Sequence, residues 1–215
     1  MSDQQAGLEW RHGAIPVSRR FDDPYFSLQG GLDETRHVFL AGNDLPARFT
    51  DGFHVAELGF GTGLNFLATL QAWRAARITG RLHFTSFEAY PMAADDLARA
   101  LAPFADVLPV EILTKGVAAD EVTLTVIKGD ARDTLPMWQG RADAWYLDGF
   151  SPAKNPELWN PDLMRAVADH TARGGTAATY TAAGHVRRSL ELAGFAVERV
   201  AGFGRKRHMT RARLG

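Results

Sequence analysis

Between residues 53 and 66 the chain reads Phe-His-Val-Ala-Glu-Leu-Gly-Phe-Gly-Thr-Gly-Leu-Asn-Phe. A short apolar run carries an acid, Glu57. Gly59, Gly61 and Gly63 follow, and a helical pattern opens at Leu64. A strand, a glycine turn and a helix N-terminus in that order let backbone lie flat against a nucleotide-like ligand. A dinucleotide fingerprint needs its third glycine at position 64, where this chain has Leu. An acid beside the loop repels a pyrophosphate and attracts a cation. The loop therefore suits S-adenosylmethionine (SAM), which has a sulfonium and an α-ammonium and no phosphate. Phe60 and Asn65 stand in the same stretch and join Gly59, Gly61 and Gly63 as candidate cofactor contacts. With no ligand, the same glycines make a plain strand-to-helix turn.

Three further acids stand where apolar runs end: Glu88, Asp130 and Asp148. In open α/β sheets ligands bind beyond the carboxyl ends of the strands, so four acids at successive strand ends mark a site. Glu57 is placed to hold the methionine ammonium, directly or through water. Glu88 can accept both ribose hydroxyls. Asp130 can accept the adenine amino hydrogens while Ala131 offers its backbone amide, and Asp130 also fits as a helix N-cap. Asp148 lies in Trp145-Tyr-Leu-Asp-Gly-Phe-Ser-Pro-Ala-Lys-Asn-Pro156. That pattern resembles the Asp/Asn-Pro-Pro-Tyr loops of amino methyltransferases. A methyl-accepting amine needs an acceptor that orients its N–H bonds and takes the released proton, and a carboxylate does both. Phe150 could stack on a flipped-out base, or belong to the core as Trp145 does. Lys154 suits a phosphate.

These residues need a scaffold. Residues 1–52 lack a long periodic pattern and read as an extension of short strands and turns, broken at Gly13, Pro16, Pro24, Gly30-Gly31, Gly42 and Pro46. From 53 to 215 strands and helices alternate. Strands are expected at 53–58, 81–88, 121–128, 142–148 and 176–180, and helices at 64–77, 92–102, 131–138, 161–172 and 184–193. A further strand near 107–113, with Gly116 between it and 121–128, would make a hairpin insertion. Two last strands, near 195–201 and 207–213, have no helix between them and should pair antiparallel. The class is α/β: a Rossmann-like, mostly parallel sheet ending in an antiparallel hairpin, with a short β-rich N-terminal extension. That ending distinguishes the class I SAM-dependent methyltransferase fold from the dinucleotide version.

At 215 residues and net charge −1, the chain has an ordinary soluble composition. It contains no cysteine, which removes disulfides, thiolate zinc sites, cysteine-held iron–sulfur clusters and a cysteine nucleophile. A methyl acceptor would then carry its own lone pair, on nitrogen or oxygen, and no metal is expected. The N-terminus lacks a secretory pattern, and no segment approaches the roughly 18 apolar residues that span a bilayer. A cytoplasmic monomer with no membrane contact is expected. From Thr181 onward eight basic residues face only Glu191 and Glu198, so the tail carries +6. Such an end suits phosphates, or is simply a solvated face.

Glu57–Phe66, Trp145–Trp159, Gly202-Phe-Gly-Arg-Lys-Arg207 and the lead-in Gly31–Asn43 closely resemble the bacterial tRNA wobble-uridine methyltransferases of the MnmC/MnmD type. The resemblance runs from about residue 8 to 213. It implies SAM-dependent methylation of the 5-aminomethyl nitrogen of a modified wobble uridine, giving 5-methylaminomethyl-(2-thio)uridine, with Asp148 as the central acid. It implies the anticodon loop of tRNA as partner, with Lys154, Arg187, Arg188, Arg205, Lys206 and Arg207 as phosphate contacts. Many family members carry a second, FAD-dependent oxidase domain. This chain has no second glycine fingerprint and is expected to be a stand-alone methyltransferase or an excised half, with a separate oxidase as a possible partner. Two other functions are weighed beside this one: methylation of a small-molecule or protein amine, and a tRNA-binding module without catalysis.

Overall fold

A computed structural model describes residues 5–13, 15–26, 30–115 and 120–215. Ten strands and seven α-helices follow one another through them. Strands β1 (Leu8–Arg11), β2 (Ile15–Ser18) and β3 (Asp23–Pro24) form a small antiparallel sheet. Helix α1 (Gly31–Thr35) then runs into a π-helical turn over Arg36–Leu40 and a 3₁₀ turn over Ala41–Asn43. This helical stretch corrects the expectation of strands and turns throughout 1–52. It forms because Leu32, Val38, Phe39 and Leu40 find a buried face against the main sheet.

The main sheet is built from β4 (His54–Leu58), β5 (Leu82–Glu88), β6 (Val122–Lys128), β7 (Ala142–Leu147), β8 (Thr171–Thr179), β9 (Phe195–Ala201) and β10 (His208–Leu214). Their spatial order is β6-β5-β4-β7-β8-β10-β9. The first five run parallel, and β10 lies antiparallel between β8 and β9. The terminal hairpin is therefore as expected. The direction of strand addition reverses between β4 and β7, which opens a crevice above their carboxyl ends.

Strand period divides the core in two. Val55, Phe84, Ala144 and Tyr146 face one layer, which holds α2 (Leu64–Ala76) and the 31–49 segment. Ala56, Leu58, Phe87, Trp145 and Leu147 face the other, which holds α5 (Ala131–Thr134), α6 (Pro161–Asp169) and α7 (Gly184–Leu192). Both faces of β4 and β7 are covered, so these strands are apolar runs rather than alternating ones. Glu57 is the acid inside such a run, and it is fully buried.

Helix α3 (Ala94–Leu101) is as expected, whereas 107–113 is not a strand. Turns lead instead into α4 (Glu111–Lys115), and β6 pairs parallel with β5 with no hairpin. Gly116 lies outside the described residues. Short apolar runs carry no period that separates a buried strand from a helix turn, and here the helix forms. Helix α6 starts at Pro161 behind the Asn160 cap, whose Oδ1 accepts from the Leu163 amide at 2.8 Å. It ends at Asp169, not 172, and β8 begins at Thr171 rather than 176. The register jumps from Ala142↔Thr171 to Ala144↔Thr176, so Gly174 and Gly175 bulge within one strand.

At the far end of the sheet from the crevice, His54 lies among His83 and Trp138, with a ring nitrogen 2.9 Å from Thr85 Oγ1. Burial, with His83 beside it, pushes its pKa down to about 4. The folded state thus binds this proton less readily than the unfolded chain, so stability from His54 is present above about pH 6.5 and lost as pH falls toward 4. Urea midpoints measured across that window should fall more steeply for the wild type than for His54→Gln.

Candidate active site

A cavity of about 700 Å³ opens above the β4–β7 reversal. That is within the roughly 300–1,000 Å³ range of ligand sites. Of the candidate residues, Gly59, Phe60, Gly61, Asn65, Glu88, Asp130, Ala131, Asp148, Phe150, Arg205 and Lys206 line it. The glycine loop reaches it because Gly59 and Gly61 adopt φ of 84° and 54°. A Cβ on Gly59 would sit 3.4 Å from Gly149 Cα, so β4 and β7 deliver their loops side by side. Gly63 caps α2 at φ 76°, beneath Phe60, and does not line the cavity.

The acids differ sharply. Glu88 Oε2 accepts the Gly61 amide at 2.8 Å, and its Oε1 accepts the Tyr90 amide at 2.7 Å. Burial raises its pKa, and these amides hold it back. Occupation of a loop amide by a carboxylate fits a donor with no phosphate, because the N–H that would meet a pyrophosphate is already taken. Asp130 caps α5 through the Arg132 amide at 2.9 Å and is gripped by the Arg132 guanidinium at 2.6 Å, which lowers its pKa. Capping and a place on the cavity wall coexist there. Glu57 does not reach the cavity. Its Oε1 accepts from Asn65 Nδ2 at 2.8 Å and its Oε2 from Ser86 Oγ at 2.7 Å, beneath the floor. Burial, together with the Asp148 charge, pushes its pKa well up. The direct contact to an ammonium expected of Glu57 is thus not available from this position.

Asp148 is where the site's polarity concentrates. Its Oδ2 accepts the second Asn65 Nδ2 hydrogen at 2.8 Å, and Oδ1 accepts the Gly149 amide at 2.7 Å. Burial lifts its pKa to about 6, moderated by Gly149, Asn65 and the Lys206 charge. A carboxylate in this range can both orient an amine and take a proton near neutrality.

Two of the expected site residues are engaged by the N-terminal segment. Phe150 is stacked on Phe21 with centroids 4.6 Å apart and meets Tyr25 edge-on at 5.0 Å, so much of its surface is already occupied by the N-terminal segment. Lys154 is bound to the Asp22 carbonyl and lies 3.4 Å from Asp22 Oδ2 and 3.8 Å from Asp23 Oδ1, so it ties the N-terminal segment to the loop after β7. Lys206 donates to Glu34 at 2.6 Å and sits 4.1 Å from the Tyr180 ring centre at the cavity mouth. Arg205 is exposed on the same rim. Arg187, Arg188 and Arg207 lie off the cavity. His208 is held below its ordinary pKa by desolvation and by Arg199, Arg207 and Arg187, which places those three cations around it.

Sequence reasoning missed Arg20, Phe21, Tyr25, Glu34, Thr35, Tyr180 and Phe203, all on the cavity wall. Most come from residues 20–35, where no periodic pattern or spacing points to a site. Tyr180, at the end of β8, donates to the Gly149 carbonyl at 2.8 Å, and its position after a strand was the available signal.

A family model described as S-adenosyl-L-methionine-dependent methyltransferase matches residues 96–215. The tRNA 5-methylaminomethyl-2-thiouridine biosynthesis bifunctional protein MnmC of Pseudomonas aeruginosa is 47% identical over 229 residues, covering 97% of this chain and 35% of that protein. The protein of the same name from Chromobacterium violaceum is 44% identical, with 98% and 34% covered. This chain therefore spans about a third of the length of these relatives. The crystal structure of MNMC2 from Aquifex aeolicus superposes with a TM-score of 0.81 at 27% identity, covering 98% of this chain and 72% of that one. A precorrin-6y C5,15-methyltransferase from Geobacter metallireducens shares the fold at TM-score 0.55 and 14% identity, with 96% and 98% covered. With strand order, glycine loop and matched residues in agreement, the chain belongs to the S-adenosyl-L-methionine-dependent methyltransferase family, among the relatives of MnmC.

Proposed function

We propose that this chain methylates the 5-aminomethyl nitrogen of a modified wobble uridine in tRNA, giving 5-methylaminomethyl-(2-thio)uridine. The observation that carries the reading is Asp148, held on the cavity wall by Asn65 and Gly149 and poised to accept a proton at about pH 6. The similarity to MnmC supports the choice of substrate.

Glu88, the Gly59–Gly61 loop, Asp130 and Ala131 would hold SAM, which supplies a methyl group on positively charged sulfur. Asp148 accepts an N–H bond of the amine, turns the nitrogen lone pair toward the donor, and takes the proton that the nitrogen releases. An alkylammonium beside a fixed cation gives up its proton more easily, and the Asp148 charge partly offsets that effect. Asn65 and Gly149 keep the carboxylate from rotating. Arg205 and Lys206 at the rim, with Arg207, Arg187 and Arg188 beyond it, form the phosphate-binding side. We place the boundary between an N-terminal extension, residues 1–52, packed on the main domain, and the methyltransferase domain, 53–215. In the cell we expect a cytoplasmic monomer, with an FAD-dependent oxidase supplying the free amine. Among the described residues no helix is long and apolar enough to cross a membrane.

The reading is tested by incubating the protein with tritiated SAM and bulk tRNA lacking the final methyl, then digesting to nucleosides. Label should elute as 5-methylaminomethyl-(2-thio)uridine; label elsewhere, or on added small amines instead, overturns it. Asp148→Asn should lower kcat by about 10²–10⁴-fold while calorimetry shows SAM affinity within a few-fold of wild type. The wild-type kcat should fall with a one-proton slope below about pH 6 as Asp148 becomes protonated. Methylation should weaken steeply with salt, and removing Arg205 or Arg207 should lower the slope of log K against log salt by about 1 each.

A further inference from the structure

Asn65 has two amide hydrogens and two acids to share them. Its Nδ2 lies 2.8 Å from both Glu57 Oε1 and Asp148 Oδ2. As a carboxylate, Asp148 only accepts, so it needs the amide nitrogen. Glu57 is the deeper of the two, and burial pushes its pKa well up. A protonated Glu57 would satisfy Asn65 Oδ1 equally well after a half-turn of the amide. That turn would leave Asp148 with the Gly149 amide as its hydrogen-bond donor and no side-chain donor. The third corner gives the amide oxygen its partner. Thr35, the last residue of α1, donates Oγ1–H to Asn65 Oδ1 at 2.8 Å, and both side chains are buried, at 4% and 7% exposure.

We propose that Thr35 is a positioning residue for the reaction: its hydroxyl holds the Asn65 carboxamide with nitrogen toward Asp148 and Glu57, which keeps Asp148 an oriented carboxylate. The proposal deepens the role given to Asp148 and rests on it. The charged and titratable groups facing Asp148 are Glu57 from β4, Glu34 from α1, Tyr180 from the end of β8 and Lys206 from the β9–β10 turn, with Asn65 from α2 and the Gly149 amide as donors. Thr35→Val keeps the shape of the side chain and removes the donor. Asn65 Oδ1 then loses its partner in a buried setting, and the amide is no longer pinned against the Asp148 carboxylate.

The test needs no tRNA. Protein labelled with ¹³Cγ-aspartate is titrated by NMR, with Asp148→Asn identifying the Asp148 signal. Wild type should titrate near 6. Thr35→Val should titrate roughly one pH unit higher, the equivalent of one lost hydrogen bond to a carboxylate, and Thr35→Ser should return to the wild-type value. An unmoved titration in Thr35→Val overturns the proposal, and so does a Thr35→Ser protein displaced as far as Thr35→Val, since a packing role would give those results. Should Thr35→Val fail to fold, Thr35→Ala removes the same donor and is held to the same two outcomes. Loss of tRNA methylation in the wild type, with the titration shift intact, would count against the substrate assignment alone.

Discussion

Everything at the crevice depends on one constraint: two carboxylates, one beneath the cavity floor and one on its wall, share the nitrogen of a single amide. Charge on both at once would be costly, because each sits where water is scarce and the other acid is near. The network resolves this by asymmetry. Burial pushes the pKa of Glu57, enclosed by Ser86 and Asn65, well up, and lifts that of Asp148, nearer the opening and within reach of the Lys206 charge, to about 6. The deeper acid thereby belongs to the scaffold, and the shallower one remains available for chemistry. The same two acids also link β4, β5, α2 and the loop after β7, so the electrostatics and the packing at the strand reversal are one arrangement.

The N-terminal segment is the other half of the site. Asn43, fully buried, donates to the Phe39 and Trp145 carbonyls and accepts from Thr176, which ties the segment to β7 and β8. Arg48 donates to the Asp143 carbonyl, and Asp23 accepts the Ser151 amide. Phe21 and Tyr25 cover Phe150, while Glu34 holds Lys206 across the mouth. A segment with little regular structure thus forms a wall by donating single side chains to positions set by the sheet. Charge is graded accordingly. Glu88, Asp130 and Asp148 line the interior, and Arg205 is exposed at the rim.

How much of this could be read from residues alone depended on the range of the interaction. Strand and helix periods, the glycine turn and the acids after strands arise from contacts within about ten residues, and they were legible. So was the terminal hairpin, because two apolar runs lacked a helix between them. The stretch 107–113 was not, since a short apolar run fits a strand or a turn of helix equally and only packing chooses. Lys154 and Lys206 each carry the charge expected of a phosphate contact, yet each is bound by an acid 132 or 172 positions away. Arg211 and Arg213, counted in the basic tail, are likewise matched by Asp44.

Sequence by itself therefore determined the α/β class, pointed to SAM through an acid beside three glycines, and singled out Asp148, which lies on the cavity wall beside Asn65. Tertiary structure decided which of the two acids at Asn65 faces the cavity, which cations meet a distant acid, and that Thr35 meets Asn65 across 30 positions of chain. The physical reason is that local order follows from propensity and period, whereas protonation and charge depend on burial and on neighbours, and neither burial nor a distant neighbour exists until the chain has folded.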